Sequence, residues 1–322
     1  MALSKAVIIK IATAEASRLL NEFEFSYTEP IDIFKIIEEK QIVLNFQKLD
    51  SLAGAYLPES PSRLPGILIN ENLPLTRQRY TAAHELCHFI RKDSTSFDTS
   101  SELFMNEYKR DEKEQIAEEF ASNILMPRRL INNILEQIGV TNRDKINPLS
   151  VYELSLRMDT SYQASVNRLA SLRMIKPKTY RELASVSPKT FKNIYGKEGL
   201  KTSWNNIWNI AEQDNGNIIY PLPGDEVRIQ LKENPSTGYK WVNIPEKDGI
   251  TTYWKSINEN AEVIGAGGMR HIDLKIREIE EITLELFYNR PWLPKSKAIN
   301  NFNIKIVIQR KRHGIKLEQL IA

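Results

Sequence analysis

The sequence predicts a multidomain chain of mixed α+β and all-β class: helices around a small sheet, then a helical segment, then a β-sandwich. Three observations carry this. Up to residue 127, helical-period apolar spacing alternates with short strand-like runs. Residues 128–175 keep the helical period, with a turn at Asp159-Thr160-Ser161. From residue 227 the period switches to two, as in Val227-Arg228-Ile229-Gln230-Leu231 and Phe302-Asn303-Ile304-Lys305-Ile306.

Composition narrows the functional classes. The 322 residues leave room for two or three domains, and 41% hydrophobic content supports packed cores. A net charge of +3 is too mild to imply nucleic-acid binding. The single cysteine rules out an intramolecular disulfide and suits a reducing compartment. No apolar run reaches the ~18 residues of a membrane span, and the N-terminal stretch lacks signal-peptide features. The expectation is a cytoplasmic protein without membrane contact.

The elements follow in order. Val7, Ile11, Ala14, Leu19 and Phe23 space a helix over 3–23. A second helix with Ile33, Ile36 and Ile37 begins near Pro30, a favoured first-turn residue. Ile42–Phe46, Leu52–Leu57 and Gly66–Asn70 read as strands of a small antiparallel sheet, the last two joined through Pro58-Glu59-Ser60-Pro61. A Gly- and Pro-free helical run from Gln78 then ends in His84-Glu85-Leu86-Cys87-His88. On a helix, residues four apart share a face, so both imidazoles address one ion, and zinc suits neutral imidazole. Glu85 is offset from that line and is the candidate general base. Two imidazoles bind weakly alone, so a third ligand is expected downstream.

After Ile90 the polar stretch from Asp93 to Ser101 reads as a surface loop. A helix follows from Asp111 to Met126, ending before Pro127. Ile116, Ala117, Phe120, Ala121, Ile124 and Leu125 form its apolar arc. Glu114 lies inside the arc, where an unpaired acid is costly, and is the candidate third ligand. A first-turn capping role through Asp111-x-x-Glu114 is the alternative. Glu118, one turn on at the edge of the arc, is the carboxylate expected to accept an N–H from a ligand histidine.

Thr81-Ala82-Ala83-His84-Glu85-Leu86-Cys87-His88, followed by Glu114-x-x-Ala117-Glu118-x-Phe120-Ala121-Ser122-x-Ile124-Leu125-Met126-Pro127, resembles the ImmA/IrrE metallopeptidase family. The resemblance spans roughly 20–175. It implies a zincin-like peptidase domain with one Zn2+ on His84, His88 and Glu114, and Glu85 as base. Cys87 stands where a glycine is common and reads as a packing residue. Glu118 stands where an asparagine is common and keeps the ability to accept from a histidine. The resemblance also implies a protein substrate of the helix-turn-helix repressor class. Tyr80, Tyr108 and nearby arginines are all open as oxyanion contacts.

Leu149–Met158 and Tyr162–Met174 flank the turn at 159–161 as helix, turn, helix. Arg157, Arg168 and Arg173 are too sparse for a phosphate-binding face, so direct DNA binding is disfavoured. From Lys176 to Asn215, Pro177, Pro188, Gly196 and Gly199 break the pattern, with short helices read at Lys189–Tyr195 and Trp204–Ala211. The expected divisions are 1–127, 128–185, a connector at 186–213, and 214–322.

In the sandwich, Leu274–Ile276 and Thr283–Tyr288 also alternate, and an antiparallel arrangement is expected. Three loops stand out: Asn234-Pro235-Ser236-Thr237-Gly238-Tyr239, Gly265-Ala266-Gly267-Gly268 and Arg290-Pro291-Trp292. A glycine tip approaches a partner closely, and Trp and Arg are typical anchors. In this order the loops resemble those of the chagasin family of cysteine-peptidase inhibitors, over about 214–311, with Ser236 replacing a threonine. That resemblance implies an immunoglobulin-like sandwich whose loops enter the cleft of a papain-like cysteine peptidase. The leading expectation is a zinc endopeptidase joined to a loop-presenting binding domain. The alternative is an inhibitor or sensor of papain-like peptidases with a regulatory or structural metal domain.

Overall fold

The computed structural model describes residues 3–61, 63–93, 96–99, 111–190, 205–246, 249–256, 267–276 and 281–309. These form two compact units, one of residues up to 134 with 154–180, the other of 135–153 with 181–309. The chain is a multidomain α+β protein whose C-terminal part is β-rich.

In the first unit, α1 (Lys5–Glu22) buries Ile8, Ala12, Ala16, Leu19 and Leu20. The second helix, α2 (Ile33–Glu39), begins after Asp32 and not at Pro30. The Asp32 carboxylate accepts from the Phe34 and Lys35 amides at 3.1 Å each, satisfying first-turn donors that Pro30 could not. Strands β1 (Val43–Gln47), β2 (Leu52–Leu57) and β3 (Gly66–Asn70) lie where expected. After α3 (Leu75–Arg91) comes β4 (Ser96–Thr99), inside the stretch read as a loop. The sheet order is β1-β3-β2-β4, and β1 pairs with β3 in parallel, so the sheet is mixed. β3 returns in the direction of β1 and inserts beside it, leaving β2 to pair with β3 and β4. Buried Asn70 ties this arrangement together, donating to the Leu49 and Leu52 carbonyls at 2.8 Å each.

Helix α4 (Glu112–Leu125) packs against α1 and α3, with Ala117 and Ala121 fully buried. Then come α5 (Arg128–Gln137), α6 (Pro148–Met158), α7 (Tyr162–Ser171) and α8 (Pro177–Ala184). The turn between α6 and α7 uses Asp159 at φ 54° and Ser161, whose hydroxyl accepts from the Ala164 amide. Arg157 and Arg168 are buried. Arg168 is spent inside the fold, donating to the Met126 carbonyl and the Asn123 side-chain oxygen at 2.9 Å each. Among the described residues, no helix is long and apolar enough to cross a membrane.

The second unit holds two four-stranded sheets. One runs β5 (Ile207–Ala211), β7 (Glu226–Glu233), β10 (Gly268–Lys275), β9 (Ile250–Ser256). The other runs β6 (Ile218–Ile219), β12 (Asn300–Ile306), β11 (Ile282–Asn289), β8 (Lys240–Val242). Alternate residues fill the core: Val227, Ile229 and Leu231 from β7, Ile272 and Leu274 from β10, Leu284 and Leu286 from β11, Phe302, Ile304 and Ile306 from β12.

Two expectations need correction. Residues 207–211, read as part of a helix, form a strand. Buried Asp225 fixes this segment beside β7, accepting from the Asn206 amide (2.7 Å) and the Trp208 indole (3.1 Å). The sheets are also not wholly antiparallel, because the outer strands β5 and β6 pair in parallel with β7 and β12. Residues 191–195 of the other connector helix lie outside the described residues.

Candidate metal centre and binding loops

Helix α3 carries both histidines on its buried face. His84 is 4% exposed, His88 1% and Glu85 0%. The helix is anchored at its start by Gln78, whose amide donates to the Glu71 and Leu73 carbonyls at 3.1 Å each. Buried Arg79 donates to the Ile31 carbonyl (2.8 Å) and pairs with Asp159 (3.2 Å).

Against α3 lies Gly54 of β2. A Cβ there would stand 2.4 Å from Thr81 Cγ2, 2.7 Å from the Leu68 carbonyl oxygen and 3.8 Å from Glu85 Cγ. Only glycine lets the strand approach this closely. Gly54→Ala is expected to destabilise the fold by about 1–3 kcal/mol through overpacking, since one obstacle is rigid backbone. Denaturant melts check this, and an unchanged midpoint would contradict it.

The three expected ligands converge. His84 Nε2 lies 3.0 Å from Glu114 Oε2, His88 Nε2 lies 3.5 Å from Glu114 Oε1, and the two Nε2 atoms are 3.2 Å apart. One donor atom from each residue thus falls within 4.8 Å of the others. Two imidazole nitrogens and a carboxylate gathered so closely fit a divalent metal of the zinc type. Asp111 makes no side-chain cap bond, and the Glu114 carboxylate points at the histidines. Burial alone opposes ionisation of Glu114, but the hydrogen bonds with His84 and His88 outweigh it and hold its pKa well below the usual carboxylate range. For His88 burial favours the neutral ring, yet Glu114 and Asp93 together raise its pKa.

Asp93 was not singled out by sequence reasoning. Its Oδ2 lies 3.0 Å from His88 Nδ1 and its side chain is only 9% exposed. Glu118 sits half-buried one turn beyond Glu114 on α4. At His88 the carboxylate on Nδ1 is Asp93. The signal available was an acid five residues past the second histidine, where the helix ends. Tyr80 places its ring 6.4 Å from that of His84, under the Arg77 guanidinium at 5.0 Å. Tyr108 and Gly265 lie outside the described residues. Cys87 is fully buried, and burial pushes its thiol pKa far up, as befits an inert packing residue.

The described strand ends that carry the three loops pair with one another. Glu233, just before Asn234, pairs with Gly268, and Lys240, just after Tyr239, pairs with Asn289. In the first loop, Pro235–Thr237 form a one-turn 3-10 helix closed by Gly238 at φ 77°. The Asn234 side chain accepts from the Ser236 amide (3.2 Å) and hydroxyl (2.7 Å). Arg290 stacks on Tyr239 at 4.9 Å, and Trp292, 70% exposed, stands over Gly238. A Cβ on Gly267 would meet none of the described atoms within 4 Å, whereas a Cβ on Gly268 would strike the Trp254 ring. Asn289, also not anticipated, braces the Arg290-Pro291-Trp292 loop. Its amide donates to the Leu293 (3.2 Å) and Pro294 (3.0 Å) carbonyls, and its oxygen accepts from the Arg290 amide (2.8 Å).

Comparison with known proteins divides the chain in the same way. Residues 37–170 match the IrrE N-terminal-like domain model, and residues 222–306 match the chagasin family peptidase inhibitor I42 model. The radiation response metalloprotease IrrE of Deinococcus deserti is 35% identical over 133 residues, which cover 40% of this chain and 43% of that protein. Amoebiasin-1 of Entamoeba histolytica is 29% identical over 31% of this chain and 98% of its own length. Chagasin of Trypanosoma cruzi is 27% identical over 30% of this chain and 92% of its own length. Two separate stretches of the chain thus resemble an IrrE N-terminal-like domain and a chagasin-family inhibitor domain, and the chain spans less than half the length of the IrrE relative.

Proposed function

We propose that the chain is a regulatory zinc-dependent endopeptidase that cleaves a cytoplasmic protein. The observation that supports this most is that donor atoms of His84, His88 and Glu114 lie within 4.8 Å of one another, with buried Glu85 between the two histidines on α3. His84 and His88 would hold Zn2+ through Nε2, and Glu114 through its carboxylate. Zinc so held would supply Lewis acidity toward a peptide carbonyl. Glu85, buried next to His84 on α3, takes the proton from the attacking water and returns it to the leaving amine nitrogen. Glu118, one turn beyond Glu114 on α4, would be a supporting carboxylate for a ligand histidine. The resemblance to ImmA/IrrE points to a helix-turn-helix repressor as the substrate class. The domain divisions we favour are 1–127, 128–185, 186–213 and 214–322. Incubating the zinc-loaded chain with such a repressor should yield discrete fragments, and a chelator should suppress them. Cleavage that survives chelation would refute the proposal.

The loops support a second activity in the same chain, binding of a papain-like cysteine peptidase. Trp292 is 70% exposed on a braced loop, as a binding anchor would be. In the full chain, Trp292→Ala is expected to weaken binding of papain about 30-fold, ~2 kcal/mol, while His84→Ala leaves it unchanged. Absence of any papain binding at micromolar concentration would remove this activity from the proposal.

A further inference from the structure

We infer that Asp93 is a positioning residue for the metal centre: it sets the tautomer of His88 and so aims the Nε2 lone pair at the point shared with His84 and Glu114. The inference rests on the zinc reading above. The chain reverses sharply to make this contact. Lys92 closes α3 in the left-handed region, at φ 55° and ψ 40°. The Asp93 amide then donates back to the His88 carbonyl at 2.9 Å. This turn swings Asp93 under the ring of the residue whose carbonyl it caps. Its Oδ2 meets Nδ1 at 3.0 Å, with His88 1% exposed.

An ionised carboxylate only accepts, so it selects the tautomer with the hydrogen on Nδ1. Nε2 is then left as a lone pair, the form that binds a cation. Among the described residues, the other carboxylate paired with His88 is Glu114, 3.5 Å from Nε2. Without Asp93 it would draw the hydrogen onto the ligating nitrogen. Asp93 also faces two cations. Lys113 Nζ lies 3.5 Å from Oδ1, and Arg91 Nε lies 4.0 Å from Oδ2. Lys113 directly precedes Glu114 on α4, so one carboxylate addresses both the second histidine and the turn that carries the third ligand.

The test uses the full chain and Zn2+ alone. The parent, Asp93→Ala and Asp93→Asn are compared by chelator-competition titration and by long-range proton–nitrogen spectra of the metal-free histidine rings, in alkaline buffer where the rings are neutral. With four histidines, the rings can be assigned by single substitutions. The parent should show His88 protonated on Nδ1. Asp93→Ala should shift the hydrogen to Nε2 and lower zinc affinity about 10- to 100-fold. Asp93→Asn keeps an acceptor without its charge and should fall between, and it carries the test if the alanine variant does not fold. Parent-like tautomer and zinc affinity in both variants would overturn the inference. A parent that binds no zinc would overturn the zinc reading instead, while the spectra of the metal-free chains would still decide the role of Asp93.

Discussion

Glu85→Gln is expected to retain zinc and to lose peptide cleavage by about 100- to 10,000-fold, the contribution typical of a general base. The side chain is fully buried beside Gly54 and Thr81, and glutamine has nearly the same shape, so the packing of α3 on β2 should survive. What changes is the capacity to take a proton. Glu85 is not among the three residues whose donor atoms converge, so the metal should stay. Metal analysis and a cleavage assay on the same preparation separate the two effects. A zinc-free Glu85→Gln protein would mean that the base and ligand roles are wrongly divided.

Glu114→Ala is expected to abolish stoichiometric zinc binding, whereas Glu118→Ala should weaken it by no more than about 10- to 100-fold. Glu114 supplies both oxygens to the cluster, one near each imidazole. Its removal leaves two nitrogens and no anionic ligand. Glu118 lies one turn further along α4, so its loss should disturb the site without removing a ligand. Zinc titration of the two variants distinguishes them. Should Glu118→Ala be the zinc-free protein, the ligating face of α4 has been misplaced by one turn.

Much of this site was legible in the sequence because helical geometry is local. His84 and His88 are four apart on a run without Gly or Pro, so their shared face follows from 3.6 residues per turn. The same reasoning placed Glu114 on the apolar side of α4, where an acid needs a partner. Asp93 escaped because its role depends on Lys92 adopting a left-handed conformation, which no periodicity reports. Gly54 escaped because its value is the absence of a side chain against a helix more than twenty residues away. β4 escaped because Ser96-Phe97-Asp98-Thr99 offers little alternating apolar signal, and its pairing with β2 supplies the order.

The sequence by itself determined the class of each part. The metal-ligand spacing, the two motif series in order, and the change of apolar period from helical to two are all properties of short windows. Tertiary structure alone decided the partners. It brought Glu114 within 3.0 Å of His84 across thirty residues of chain, put β1 beside β3 and not β2, and turned 207–211 into a strand by offering it the edge of β7. It also joined two loops by stacking Arg290 on Tyr239. The physical reason is the same in each case: local propensity reflects a residue's own backbone and near neighbours, while these outcomes turn on free energy gained from groups far along the chain.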